Sequence, residues 1–401
     1  MMVIGLVFIC VTSILAQDWP QWRGPNRDGK VTGFIAPAKW PQTLTKKWSV
    51  TVGLGDATPA LVNNRLYVFT RQEANEVLQC LDASSGKQLW QASYPAVAVT
   101  GPASRHPGPR SSPTVADGKV VTLGVGNIVS CFDAATGKLL WRNEEYTGAV
   151  PQYFTGMSLL VSDGMCIAQL GGSESGYFVA FDLASGSTKW KTASDGVVYG
   201  SPALITVDGT KQAVFQTATK IVGVGITDGK LLWEIATPVG TGRTNNSASP
   251  VVDQQKVYYT GLNNGISAVE IKKQGSSFAV TPLWKNPDLS TTYNTPVLKD
   301  GFLYGISNTN FIFCVNASNG QTAWIDTKSH QNFASVVDAG SVLFALSSTS
   351  NLVVFKPGGQ AYTEVTTIKV ADTPVYAHPV ISGNRIFVKD EGGTLVLWTV
   401  E

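Results

Sequence analysis

The chain has 401 residues, 14% of them charged and 43% hydrophobic, with 40 Gly, 11 Trp and a formal net charge of +2. Such a composition describes a weakly charged, turn-rich globular protein with enough apolar surface for a large core. It gives no cluster of Lys and Arg, so nucleic acid is excluded as an expected partner.

Residues 3–16, VIGLVFICVTSILA, carry no charge. That stretch is shorter than the roughly 20 residues needed to span a bilayer, so no transmembrane anchor is expected. The expectation is a signal peptide over residues 1–16, cut after Ala16, although MM offers no basic residue and Ile14 is not small. Export would place the protein in the periplasm or outside the cell. Cys10 leaves with the leader. Cys80, Cys131 and Cys314 share one place in a repeated motif (LQCLD, VSCFD, IFCVN), and Cys166 also sits in an apolar run. Equivalent positions of different repeats do not meet, so these thiols are read as small buried hydrophobes rather than disulfides.

Next comes DWPQWRGPNRDG, residues 18–29, inside a segment assigned to residues 17–45. Pro and Gly break it too often for a helix or a central strand, and its two Trp are out of place in a tail. KKWSVTV, residues 46–52, then reads as a single strand ending one segment and opening a domain of residues 46–401.

From there the chain repeats. CLDASSGKQLW (80–90), CFDAATGKLLW (131–141), AFDLASGSTKW (180–190), GVGITDGKLLW (223–233) and CVNASNGQTAW (314–324) each place Gly four residues before Trp. The motif residues are Asp82, Gly86 and Trp90; Asp133, Gly137 and Trp141; Asp182, Gly186 and Trp190; Gly229 and Trp233; Asn316, Gly320 and Trp324. The Asx side chain can bond amides just ahead of it, and Gly accepts positive φ, so each copy reads as strand, tight turn, strand. Trp284 ends a looser fifth copy, and the seventh has FKPGG and no Trp; both blades are expected to be irregular. Upstream of each copy lies an apolar hairpin with Asp-Gly or Gly-Asn at its turn. The hairpins start at Pro59, Pro113, Ser158, Pro202, Pro250, Pro296, Ser335 and Pro379, about 46 residues apart. Four short strands per step make a propeller blade, and eight starts make eight blades. The last unit stops at Glu401 after three strands, and residues 46–52 supply the fourth and close the ring. The fold class is therefore an all-β, eight-bladed propeller. One Trp per blade at a fixed place is read as packing between blades rather than as a sugar-binding surface.

These residues resemble the PQQ-like, tryptophan-docking propeller repeat. The resemblance covers the chain beyond its leader. That family includes quinoprotein dehydrogenases, the outer-membrane assembly-factor propeller and many secreted bacterial propellers, the last with an N-terminal segment similar to DWPQWRGPNRDG. For the dehydrogenases it implies a quinone held by adjacent cysteines, a Trp floor and a calcium set of Glu, Asn and Asp. No Cys-Cys pair occurs here. No catalytic residue, cofactor or metal is therefore expected, with PQQ and calcium as the alternative; G-x-S-x-G, H-E-x-x-H and a P-loop are missing too. The implied role is an exported, monomeric binding or assembly scaffold. The alternatives are a quinoprotein oxidoreductase and an outer-membrane assembly factor.

A site is expected on the face whose loops vary, just before the inner strands. Arg110, Tyr199, Asn246, Tyr293, Tyr376 and His378 stand there, with Arg243 in a neighbouring loop. Two readings fit these residues. They satisfy buried loop carbonyls, or they ring a funnel for a protein, a peptide, or a small polar or glycan ligand. Residues 18–29 are expected to plug a blade junction or the channel mouth near the closure, with Arg23 and Arg27 on turn acids or loop carbonyls.

Overall fold

The computed structural model describes residues 17–237 and 246–401. Eight four-stranded antiparallel sheets follow one another around a ring. Blade one runs over residues 60–95, blade two 114–143, blade three 160–195, blade four 203–236, blade five 251–286, blade six 297–325 and blade seven 334–369. Blade eight takes its inner three strands from Val380–Ser382, Arg385–Lys389 and Thr394–Thr399, and its outer strand from Thr45–Thr51. The two chain ends pair from Thr45 opposite Thr399 to Thr51 opposite Thr394, which leaves no open end to the ring.

The hairpin turns behave as their residues dictate. Asp117, Asp163, Asp208 and Asp300 all take φ between 44° and 50°, each followed by a Gly at φ of 70° to 78°. That pair of left-handed residues is the two-residue turn whose twist matches the strands. In the Asx-Gly turns, Asp82 Oδ1 accepts from the amides of Ser84 (3.1 Å) and Ser85 (2.8 Å), and Gly86 N donates to the Asp82 carbonyl at 2.8 Å. The Ser85 and Thr136 hydroxyls, together with the turn amides, hold the half-buried carboxyls of Asp82 and Asp133 below the usual range, and Lys189, with the Ser185 amide and hydroxyl, holds Asp182 at about 2.

The Trp girdle follows from these turns. Trp90 Nε1 donates to Ala134 O (3.2 Å), Trp141 to Leu183 O (3.0 Å), Trp190 to Ile226 O (2.8 Å), Trp284 to Ala317 O (2.9 Å) and Trp324 to Gly358 O (2.7 Å). Each acceptor lies in the turn of the next blade. Trp48 of the closing strand does the same to Ala83 O of blade one, at 3.1 Å. The turn glycine lets the indole approach: a Cβ on Gly137 would sit 2.4 Å from Trp90 Cε3, and one on Gly186 2.5 Å from Trp141 Cδ2. Across the ladder from each Trp stands a small residue: Cys80, Cys131, Ala180, Gly223, Ala268 and Cys314 face Trp90, Trp141, Trp190, Trp233, Trp284 and Trp324. A bulge follows each of these pairs. The four described cysteines are free and buried.

Two expectations need correction. Blade five is not loose: its outer strands, Gly265–Gln274 and Ser277–Asn286, form a ten-residue hairpin in place of the Asx-Gly turn. Trp233 of blade four therefore finds no turn carbonyl on its neighbour. It lies across Gly223 and donates to Gln212 Oε1 of its own blade at 2.6 Å. Blade seven departs as expected: Thr366 pairs with Val354 where a Trp would stand.

Candidate functional site

Two features occupy the middle of the ring, and the first is a belt of hydroxyls. Two residues before the inner strand, Thr58 N donates to Ser112 Oγ (3.2 Å), Ser112 N to Ser158 Oγ (2.9 Å) and Ser158 N to Ser201 Oγ (2.9 Å). Ser201 N then donates to Ser249 Oγ (2.9 Å), Ser249 N to Thr295 Oγ1 (2.8 Å) and His378 N to Thr58 Oγ1 (2.9 Å). Sequence reasoning missed this belt. Its signal was a Ser or Thr at the same place in six units, usually just before Pro.

The second feature is the segment of residues 17–31, which lies on the ring axis rather than over one junction. It touches all eight blades. Ser382 Oγ of blade eight donates to Gln17 O at 2.8 Å. Trp19, fully buried, exchanges both backbone hydrogen bonds with Leu61 of blade one (2.7 and 2.8 Å). Val115 N of blade two donates to Pro20 O at 2.8 Å. Trp22 Nε1 reaches Ser249 Oγ beside blade five, and its ring lies 4.3 Å from that of His378. Arg23 donates to Thr295 O (2.7 Å) and Pro296 O (2.8 Å) at blade six. Arg27 donates to Ser158 O (3.1 Å) and Leu159 O (2.9 Å) at blade three and Pro202 O (2.8 Å) at blade four. Gly29 O and Val31 N bracket Asp338 of blade seven at 2.9 and 2.8 Å. The acceptors of both guanidinium groups are carbonyls, not turn acids. Burial lowers their pKa to about 10 for Arg23 and about 9 for Arg27, so both stay charged at neutral pH.

Four residues before the inner strands stand Asp56, Arg110, Tyr199, Tyr293 and Tyr376. Tyr293 and Phe333 stack face to face, 3.8 Å between centroids and 7° apart, each 38% exposed. Phe333 meets Tyr376 edge-on at 5.4 Å, and Tyr376 meets His106 at 4.7 Å. His106 Nδ1 lies 2.9 Å from Asp56 Oδ2, a contact that raises the imidazole pKa against its partial burial. Arg110 donates to His106 O (2.9 Å) and Tyr153 O (2.6 Å), and Tyr153 N donates to the Tyr199 hydroxyl at 3.0 Å. One run of contacts thus joins Tyr293, Tyr376, Arg110 and Tyr199 along the rim. Lys389 is buried beneath it, donating to Gly55 O, its pKa pulled down to about 8 by burial.

Two of the candidate residues are not on this rim. His378 is 4% exposed against Trp22, and burial lowers its pKa to about 3, so it is neutral. Asn246 is 1% exposed, with its side chain on Thr217 O at 3.0 Å and its carbonyl accepting from Tyr199 N and Gly200 N. Arg243 lies outside the described residues.

The quinone cage finds no counterpart in these residues. The four described cysteines sit in four different blades, and among the described residues no three His, Cys, Asp or Glu side chains converge as metal ligands. The adjacent-cysteine clamp that the resemblance implies for the quinone is not reproduced among the described residues. A cavity of about 240 Å³ lies off the axis between blades two and three, lined by Tyr146, Tyr177, Glu145 and Lys191 among others. Among the described residues no helix is long and apolar enough to cross a membrane.

Blade count, docked Trp and closure by the N-terminal strand define a PQQ-like, tryptophan-docking propeller. The family profile described as outer membrane protein assembly factor BamB matches residues 38–191 and 74–326, and the chain belongs to that family. It is 22% identical over 377 residues to the outer membrane protein assembly factor BamB of Yersinia pestis, covering 88% of each chain. The crystal structure of BamB from Moraxella catarrhalis superposes with a TM-score of 0.67 at 15% identity, covering 89% of this chain and all of that one. A europium-containing methanol dehydrogenase superposes at 0.73 and 13% identity, over 93% of this chain and 89% of its own. At these identities the two superpositions speak for the fold alone.

Proposed function

We propose that this chain is a non-catalytic scaffold of the bacterial envelope, exported to the periplasm, that holds other proteins during assembly of the outer membrane. The observation that carries the reading is the end-to-end likeness to an assembly factor, 88% of both chains. The axis is compatible with it, being filled by the chain's own residues 17–31. The exposed rim of Tyr293, Phe333 and Tyr376 is the candidate contact for a partner, since rigid aromatic side chains give large contact area at little entropic cost.

The test is a deletion strain complemented with the wild type or with Tyr293→Ala/Phe333→Ala. The expected result is a several-fold loss of outer-membrane β-barrel proteins, restored by the wild type and poorly by the variant. Saturable quinone binding with calcium, accompanied by alcohol-dependent dye reduction, would overturn the reading.

A further inference from the structure

We infer that the axial channel is a peptide-binding site, filled in this chain by its own residues 17–31. The inner strand of each blade has one free edge, turned to the axis. A row of unpaired N–H and C=O groups there is the same surface on which other proteins capture an extended peptide. Three blades use it in that way. Trp19 and Leu61 exchange both bonds of an antiparallel pair, Pro20 accepts from Val115, and residues 29–31 pair in parallel with Asp338. These main-chain bonds ask little of the peptide's sequence. Recognition comes from two sockets of carbonyl oxygens. One is built from Thr295 and Pro296, and takes Arg23. The other is built from Ser158, Leu159 and Pro202, and takes Arg27.

The sockets suit Arg rather than Lys, because a planar guanidinium serves several fixed acceptors at once while an ammonium is a single point. A third pocket takes the Trp19 indole, fully buried, with Gly24 lying against its ring: a Cβ there would be 3.1 Å from Cζ3. The ligand class is therefore a peptide that pairs as a strand at its two ends and folds into turns between them, carrying Trp and, four and eight residues later, Arg, each Arg at positive φ. The site also has an unspent polar reserve. Trp19 Nε1, Arg23 Nε and His378 Nδ1 are buried with no protein partner. With its own segment seated the channel is closed, so a partner held by the scaffold must use the rim or the outer surface. The inference does not depend on which partner that is.

Two measurements test it. In the first, a fluorescent peptide of residues 17–31 is titrated into the wild type and into Arg23→Ala/Arg27→Ala. The variant is expected to melt several degrees lower and to bind the peptide at least ~10-fold more tightly than the wild type does, with its melting temperature recovering at saturation. Equal affinity for the two proteins, or none for either, would overturn the inference. The second uses the intact wild type and so does not depend on the variant folding. Amides of Trp19, Val31, Leu61, Val115 and Asp338 are followed by hydrogen exchange. They are expected to exchange together, at least ~10-fold faster than the second strands of the same blades. Exchange only at the rate of those strands would make the segment an inseparable part of the core, not a ligand of the channel.

Discussion

The ring is held together at two radii, and the two do it differently. At the circumference the bond is local and repeated: one Trp, one turn carbonyl, one glycine, from each blade to the next. Six of eight junctions carry the Trp–carbonyl bond, five of them with the glycine beneath the indole, and the two exceptions are the two places where the acceptor turn is missing. Blade five has a continuous hairpin where the turn would be, and the outer strand of blade eight comes from the other end of the chain. At the axis the bond is single and shared: residues 17–31 reach every blade, and nothing in them repeats. A defect in the girdle should loosen one junction. A defect at the axis should be felt by several blades at once.

The largest effect is accordingly expected at the axis. Arg27→Ala leaves the buried carbonyls of Ser158 and Pro202 without this donor, while Leu159 O keeps the Thr114 hydroxyl. At ~1–3 kcal/mol for each of the two, less the relief of a buried charge, the loss is about 3 kcal/mol of stability, read by denaturant unfolding. A loss under ~1 kcal/mol would show that the axis carries little of the load.

Gly137→Ala tests one girdle junction. The added Cβ meets Trp90 at 2.4 Å and must hold φ near 75°. About 2 kcal/mol is expected, confined to blades one and two by hydrogen exchange. The equivalent change at Gly275, at the tip of the blade-five hairpin, meets nothing within 4 Å at φ 61°, so it bears only the backbone cost of roughly 1 kcal/mol.

The smallest effect at neutral pH concerns His378, and it grows with acid. Its pKa falls from 6.5 to about 3 on folding, through burial and the nearby Arg23 charge. The unfolded chain therefore binds more protons between these values, and stability should fall as pH drops from about 6.5 towards 3. His378→Gln should flatten that part of the melting-temperature profile while changing little at pH 7. An unchanged acid slope would place the titrating group elsewhere.

Most of the circumference was legible in the sequence, because it is written several times. Gly four residues before Trp fixes both the turn and the ring that lies on it, and the unpaired KKWSVTV strand announces the closure. Blade five is less legible for a related reason: its turn motif is absent, and VEIKKQGSSFAV, which builds the long hairpin, has no second copy in the chain. Trp233 followed it, since what Trp233 does depends on a turn in the next blade and on Gly223 opposite. The axis was less legible. DWPQWRGPNRDG has no second copy to align, and its partners lie as far along the chain as His378, which packs on Trp22. His378 was placed on the rim because it stands just before an inner strand. Two residues before the strand, however, is the level of the hydroxyl belt, and four residues before is the level of Asp56, Arg110 and Tyr376.

The central claim, that one segment binds the axis and ties the blades, can be tested by cutting it free. A protease site placed at Ala38–Lys39, both exposed, separates residues 17–31 from the closing strand that begins at Thr45. After cleavage the N-terminal fragment should co-elute with the ring on gel filtration, and the melting temperature should fall when the protein is diluted, because the segment is now a dissociable ligand. A fragment that elutes alone, leaving a ring with unchanged melting temperature at every dilution, would contradict the account.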